Sequence, residues 1–94
     1  MTDELLTDRL QELTGSVVVL DASSRYVFIG TLESVEVGHL ILINADVHDL
    51  RDTQTTRERY VLEVKALGVR ANRRRVLVRR DAIVSVSMLD AVIE

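Results

Sequence analysis

The sequence predicts a mainly β chain, in which a short helix precedes five short strands, the second of them bent at a glycine. Three observations point that way. Much of the apolar content is Val, Ile and Leu while aromatics make up only 3%, and branched aliphatic side chains suit pleated packing. Two stretches, YVFIGTLESVEVGHLILINAD at 26–46 and RVLVRRDAIVSVSM at 75–88, each read as strand, polar turn, strand. Inside the first sits Gly30, and a mid-strand glycine usually marks a sharp bend or a close backbone approach.

The elements follow in order. TDELLTDRLQELTGS reads as the helix: Thr2 can cap it, Asp3 and Glu4 suit the positive end of its dipole, and Leu6, Leu10 and Leu13 share a face. Gly15 is its expected stop. The first strand then runs to a turn at 21–25, where Asp21 and two serines can bond the local backbone. In the second strand Tyr26, Phe28 and Leu32 share one face. EVGH makes the next turn, with Gly38 free to adopt a positive φ. HLILINADV is apolar on both faces for several residues, as in a central strand covered on both sides.

A charged connection, HDLRDTQTTRER, leads into an ambiguous segment, TTRERYVLEVKALG. Thr55 and Glu58 fit a capping box and Gly68 sits where a C-terminal cap belongs. That favours a helix with Tyr60, Val61, Val64 and Leu67 inward, against the β propensity of YVLEV. RRRVLVRRDAIVSVSML closes the chain with two strands around a turn at 79–82.

Ninety-four residues make one domain, 1–94, at most. A chain this small buries only about 60–65% of its unfolded surface. Its 47% hydrophobic content is therefore best used by an oligomer, which buries apolar surface a monomer exposes. With no cysteine there is neither a disulfide frame nor a thiolate metal site, and two histidines without an organised carboxylate cluster argue against metal altogether. No cofactor is expected. No apolar run approaches the ~20 residues of a membrane span, and the N-terminus is acidic, unlike a signal peptide. The expected location is cytoplasmic. A Gly-rich phosphate loop, a cysteine nucleophile and a supported Ser–His–acid set are all missing, so a non-enzyme is expected.

Charge is unevenly spread. The net value is −3, yet Arg70, Arg73, Arg74, Arg75, Arg79 and Arg80, half of the 12 basic residues, fall within a stretch free of acids. Such a chain can bind a polyanion locally without being a general DNA binder.

The order of helix and strands, with a glycine in the second strand, resembles the Sm-like (LSm) family. Its first motif is apolar-x-Gly-x-Leu, three residues, Asp, a short turn, Asn and alternating apolar residues. IGTLESVEVGHLILINAD supplies Gly30 and Leu32 in place, with Glu36 where the Asp stands and Leu40 where the Asn stands. The second motif is an apolar pair, Arg-Gly-Asp and a final apolar strand; VLVRRDAIVSVSM supplies Arg79 and Asp81, with Arg80 in place of the glycine. Residues 47–75 then form an insertion before the fourth strand. The Tyr-Lys-His signature of bacterial Hfq, which has the same fold, is absent.

The resemblance implies an Sm-like fold: a strongly bent five-stranded antiparallel sheet capped by the N-terminal helix, with a helix-favouring insertion before the fourth strand. It further implies a homo-oligomeric ring of five to seven subunits, closed by pairing the last strand of one copy with the fourth of the next. It also implies single-stranded RNA held at the pore, where the second–third and fourth–fifth strand turns lie side by side. Carried over by residue, Arg79 can stack on a base or pair with phosphate, and Asp81 can orient it. His39 offers a stacking ring one place after the usual position, here Gly38, and Glu36 stands at the same turn. Leu40 cannot read a base edge as the Asn does, whereas Arg80 adds charge, so phosphate contact of low selectivity is expected. The alternative is a ring that serves as a protein-interaction scaffold, its arginines neutralised by intersubunit salt bridges.

Overall fold

The computed structural model describes residues 3–52 and 54–94. Helix α1 (Asp3–Gln11) is followed by strands β1 (Val17–Ala22), β2 (Tyr26–Val35) and β3 (His39–Asp49), helix α2 (Arg57–Leu67), and strands β4 (Arg73–Arg79) and β5 (Ile83–Met88). The strands form one five-stranded sheet in the order β4-β3-β2-β1-β5, antiparallel at every pairing. The expected mainly β architecture with an N-terminal helix is borne out, and β4 and β5 are the two edges of the sheet.

Period-2 alternation gives the sheet two apolar faces. In β1, Val18 and Leu20 join Leu32, Leu40, Leu42, Ala45 and Val78 in one core, and Leu10 of α1 closes it. Val19 faces the other way, with Val27 and Ile29 of β2, against Tyr60, Val61 and Val64 of α2 and Leu89. The insertion is therefore helical, and it covers a sheet face that would otherwise be wet. Burying Val61 and Val64 there contributes about 1.5–3 kcal/mol each as an upper bound.

The bend lies where expected. A Cβ at Gly30 would lie 2.8 Å from the Ala45 Cβ and 2.9 Å from its Cα, so only glycine lets β2 and β3 approach this closely. Opposite it, Asn44 takes φ +50°, a left-handed conformation that asparagine tolerates better than most residues. One register shift on β2 falls at the glycine, between Ile29 and Thr31, and a second follows between Leu32 and Ser34.

Several local expectations need correction. α1 ends at Gln11, and Gly15, at φ +91°, shapes the turn after it; Thr2 lies outside the described residues. The first turn spans only 23–25, because β1 reaches Ala22. Asp21 is not a turn residue: its carboxylate accepts from Arg57 Nη1 at 3.1 Å and Ser85 Oγ at 2.9 Å. Phe28 and Leu32 do face one core, while Tyr26 is exposed and stacks on Phe28 with ring centroids 6.1 Å apart. Gly38 does not use a positive φ. β3 extends two residues into the expected connection, ending at Asp49.

In α2 the cap is Thr56, not Thr55: its hydroxyl accepts from the Arg59 N–H at 3.2 Å, and Glu58 falls outside the capping box. Gly68 does close the helix, at φ +93°, donating its N–H to Val64. Leu67 points outward and is 81% exposed. A polar network ties α2 to the sheet. The Tyr60 hydroxyl donates to Asp46, Asn72 Nδ2 donates to the same carboxylate, and the His48 ring stacks on Tyr60 at 4.0 Å. Burial and the Asp46 carboxylate push the Tyr60 phenol well above its ordinary pKa. Among the described residues no helix is long and apolar enough to cross a membrane.

Candidate functional site

β2 and β3 form a hairpin whose last ladder pair is Val35 with Leu40. Its tip closes when the Glu36 N–H donates to the His39 carbonyl at 2.8 Å. The β4–β5 connection is tighter: β4 ends at Arg79, and a single 3-10 turn, Arg80–Ala82, feeds β5.

Because β4 pairs with β3, these two tips meet. His39 lies directly opposite Arg79, a position at which Cβ atoms stand about 4.5–5.5 Å apart. Arg80 then fastens the tips together. Its N–H donates to the Gly38 carbonyl at 3.0 Å and its Nη1 to the Glu36 carbonyl at 3.1 Å. Arg79 instead faces solvent and, among the described residues, forms an ion pair only with Asp81, Nη2 to Oδ2 at 2.7 Å. Exposed ion pairs of this kind are worth about 0.2–1 kcal/mol, so a phosphate or a base face can compete for that guanidinium.

The structure thus brings together all five residues singled out in the sequence, in unequal roles. His39, Arg79 and Asp81 present side chains at the joined tips. Arg80 is half-buried and engaged with carbonyls of the neighbouring turn. Glu36 contributes its backbone, and its carboxylate makes no ion pair among the described residues. Leu40 is fully buried in the first core, which removes it from any recognition surface.

One tip residue escaped the sequence reading. Val37 is 98% exposed at the apex of the β2–β3 hairpin, an apolar side chain left uncovered by the described residues. Its signal was an apolar residue inside a four-residue turn, where polar types are the norm. Beside it an open cleft of about 610 Å³ separates Glu4, Thr7 and Gln11 of α1 from Val37 and Asp81. Among the described residues no group of His, Cys, Asp or Glu is arranged to hold a metal ion.

No family model matches the sequence, and no curated protein matches it either. Solved structures do match. One is an Sm protein of Pyrococcus abyssii in complex with a uridine heptamer, at 12% identity and TM-score 0.57, covering 94% of this chain and 99% of that one. A chain of the NatC complex bound to CoA matches at 14% identity and TM-score 0.54, over 84% of this chain and 82% of that one. The NatC complex bound to Gag peptide and CoA gives the same identity and TM-score, over 84% and 89%. At such identities the likeness concerns architecture alone. On that ground, and on the element order above, this chain has the Sm-like fold.

Proposed function

We propose that the chain forms a homo-oligomeric ring that binds single-stranded RNA at the joined hairpin tips. The observation that carries this reading is the cross-strand pair of His39 and Arg79. It sets a flat ring beside a solvent-facing guanidinium, the two groups a stacked base and its phosphate require. The uridine heptamer bound by the Pyrococcus protein supports RNA as the ligand class. Ring closure is supported by the two edge strands, which carry exposed apolar side chains, Leu77 at 56% and Val84 at 71%. Edges of this kind invite pairing with another copy, and head-to-tail pairing of unlike edges yields a ring where the rotation between copies closes. Repetition around a ring raises a weak site to useful avidity. With Leu40 in the core, contact with phosphate and base faces dominates over base-edge reading, so sequence preference is low. In this reading the protein is a cytoplasmic, non-enzymatic single domain that needs no cofactor.

A second reading, a ring that serves as a protein scaffold, is favoured by one feature: Arg80 is occupied within its own chain. The NatC chains are components of a complex, which is consistent with such a role. Light scattering and fluorescence anisotropy against oligo-U and oligo-A separate the two. RNA binding predicts affinity for both oligomers that falls steeply with salt, and its loss in Arg79→Ala while the particle mass is unchanged. The scaffold predicts no oligonucleotide binding near about 100 mM salt, and a smaller particle for the variant.

A further inference from the structure

Apart from the joined tips, the sheet presents one exposed aromatic ring, that of Tyr26, the first residue of β2. We propose that Tyr26, backed by Phe28 and flanked by Arg25 and Arg51, is a stacking platform for a further base of single-stranded RNA. The inference rests on single-stranded RNA as the ligand class and extends the tip site along the same molecule.

The ring is fixed on one side and open on the other. It stacks on Phe28, with centroids 6.1 Å apart and planes 27° apart, an offset arrangement that aromatic pairs prefer. Phe28 packs in turn against the first core. Because Tyr26 starts its strand, no earlier residue of β2 covers the far side of its ring. Of the two tyrosines and one phenylalanine in the chain, only Tyr26 is exposed, at 36%. The platform also adjoins the tips. In the turn before it the Ser23 N–H donates to the Ala82 carbonyl at 2.8 Å, which ties that turn to the 3-10 turn following Arg79. By that route Tyr26 lies within about 20 Å of Arg79.

Two guanidinium groups stand beside the ring. Asp49 is the cross-strand partner of Tyr26, and it anchors Arg51, accepting from the Arg51 N–H at 2.9 Å and from its Nε at 3.0 Å. The Asp49 carboxylate, and in smaller part Tyr26, hold the Arg51 charge above its ordinary pKa. Arg25 immediately precedes Tyr26, and its carbonyl accepts from the Leu50 N–H at 2.9 Å. Its charge acts on Asp49, yet Arg25 makes no ion pair among the described residues. A flat ring backed on one side, with a planar guanidinium held beside it, matches the face of a base.

The nearby acids set how the platform works. Asp49 is taken by Arg51, and Asp52 is exposed at the end of the following 3-10 turn. Asp21 and Asp46 are opposite Val27 and Ile29, residues of the second core, so they belong to the other face of the sheet. There they bond Arg57 and Ser85, and Tyr60 and Asn72. Arg25 and Arg51 against Asp49 and Asp52 leave the platform without net charge. Its contribution is therefore stacking, which suits any base, rather than attraction of phosphate. β2 is an interior strand, and edge pairing between copies uses the backbone of β4 and β5, so ring closure does not draw on it.

The test titrates the full-length chain, Tyr26→Leu and Tyr26→Phe by anisotropy with oligo-U of about 20 nucleotides, over a range of salt. The wild type is also titrated with a uridine heptamer, as a measure of the tips. A stacked base is worth a factor of about 5 to 150 in affinity. Tyr26→Leu is therefore expected to weaken binding of the long oligomer at least about 5-fold, whereas Tyr26→Phe, which keeps a ring, binds as the wild type does. Tyr26 lies outside both cores, so neither change opens a cavity. Because the platform is neutral, the ratio of wild-type to Tyr26→Leu affinity is expected to hold constant as salt rises, while both affinities fall. Equal affinities of wild type and Tyr26→Leu, equal losses in the Leu and Phe variants, or a ratio that shrinks towards one with salt each overturn the platform and leave the tips standing. Binding of the long oligomer that depends on Tyr26, with none of the heptamer, keeps the platform and removes the tip reading. Binding of neither oligomer removes both.

Discussion

His39, the first residue of β3, is the direct cross-strand partner of Arg79, the last residue of β4. Two turns far apart in sequence are thereby made one surface, and the Arg80 side chain bridges them through the Glu36 carbonyl at 3.1 Å. Replacing Arg80 with Ala removes that bond but keeps its backbone N–H on Gly38. A net hydrogen bond is worth about 0.5–1.5 kcal/mol, and about 1 kcal/mol moves a chain of this size by about 4–8 °C. Arg80→Ala is expected to melt a few degrees lower by calorimetry; an unchanged melting temperature would show that the bridge does not fasten the tips.

Gly30 is the tightest point of the sheet. The added methyl of Gly30→Ala meets Ala45 at 2.8 Å, and overpacking of this kind costs about 1–3 kcal/mol. Urea denaturation is expected to show that loss, with part of it recovered in Gly30→Ala/Ala45→Gly. Simple addition of the two single effects would mean that the contact is not the cause.

Thr56 caps α2, and α2 covers the second core. Thr56→Ala is expected to cost about 1 kcal/mol in the same assay. A variant as stable as wild type would move the cap elsewhere.

How much of this was legible follows from the range of each signal. Gly30 could be read because a glycine amid alternating apolar residues has few other uses. The two hairpins could be read from local pattern, but the meeting of their tips was implied only by the resemblance to the Sm-like family, because the pairing of β4 with β3 joins strands separated by a whole helix. The cap was misplaced by one residue because Thr55 and Thr56 are adjacent, and Glu58 favoured the wrong one. Leu67 was placed inward by helical periodicity, yet as the last residue of α2 it is exposed and takes no part in the second core. The roles of Asp21, Asp46 and Asn72 depend on partners more than a dozen residues away, which no local pattern records. Nothing in the sequence marked Asn44 as left-handed, since asparagine is common in ordinary strands and turns alike.

Asp49 supplies a pH test. Hydrogen bonds from the Arg51 side chain and backbone hold its carboxyl at about 2, below the ordinary 3.8. A depressed folded pKa stabilises the native state above the unfolded value, and that contribution fades as pH falls from about 4 to about 2. Asp49→Asn is expected to be less stable than wild type near neutrality and to converge with it by about pH 2. A gap between the two that is constant with pH would contradict the assignment.

The most direct test of the central claim is the change in backbone and ring resonances of the labelled protein on adding a uridine heptamer. The joined tips predict the largest shifts at Val37, Gly38, His39, Arg79 and Asp81, with the His39 ring protons moved by stacking. Shifts confined to other surfaces, or none at all at a concentration that saturates anisotropy, would contradict it.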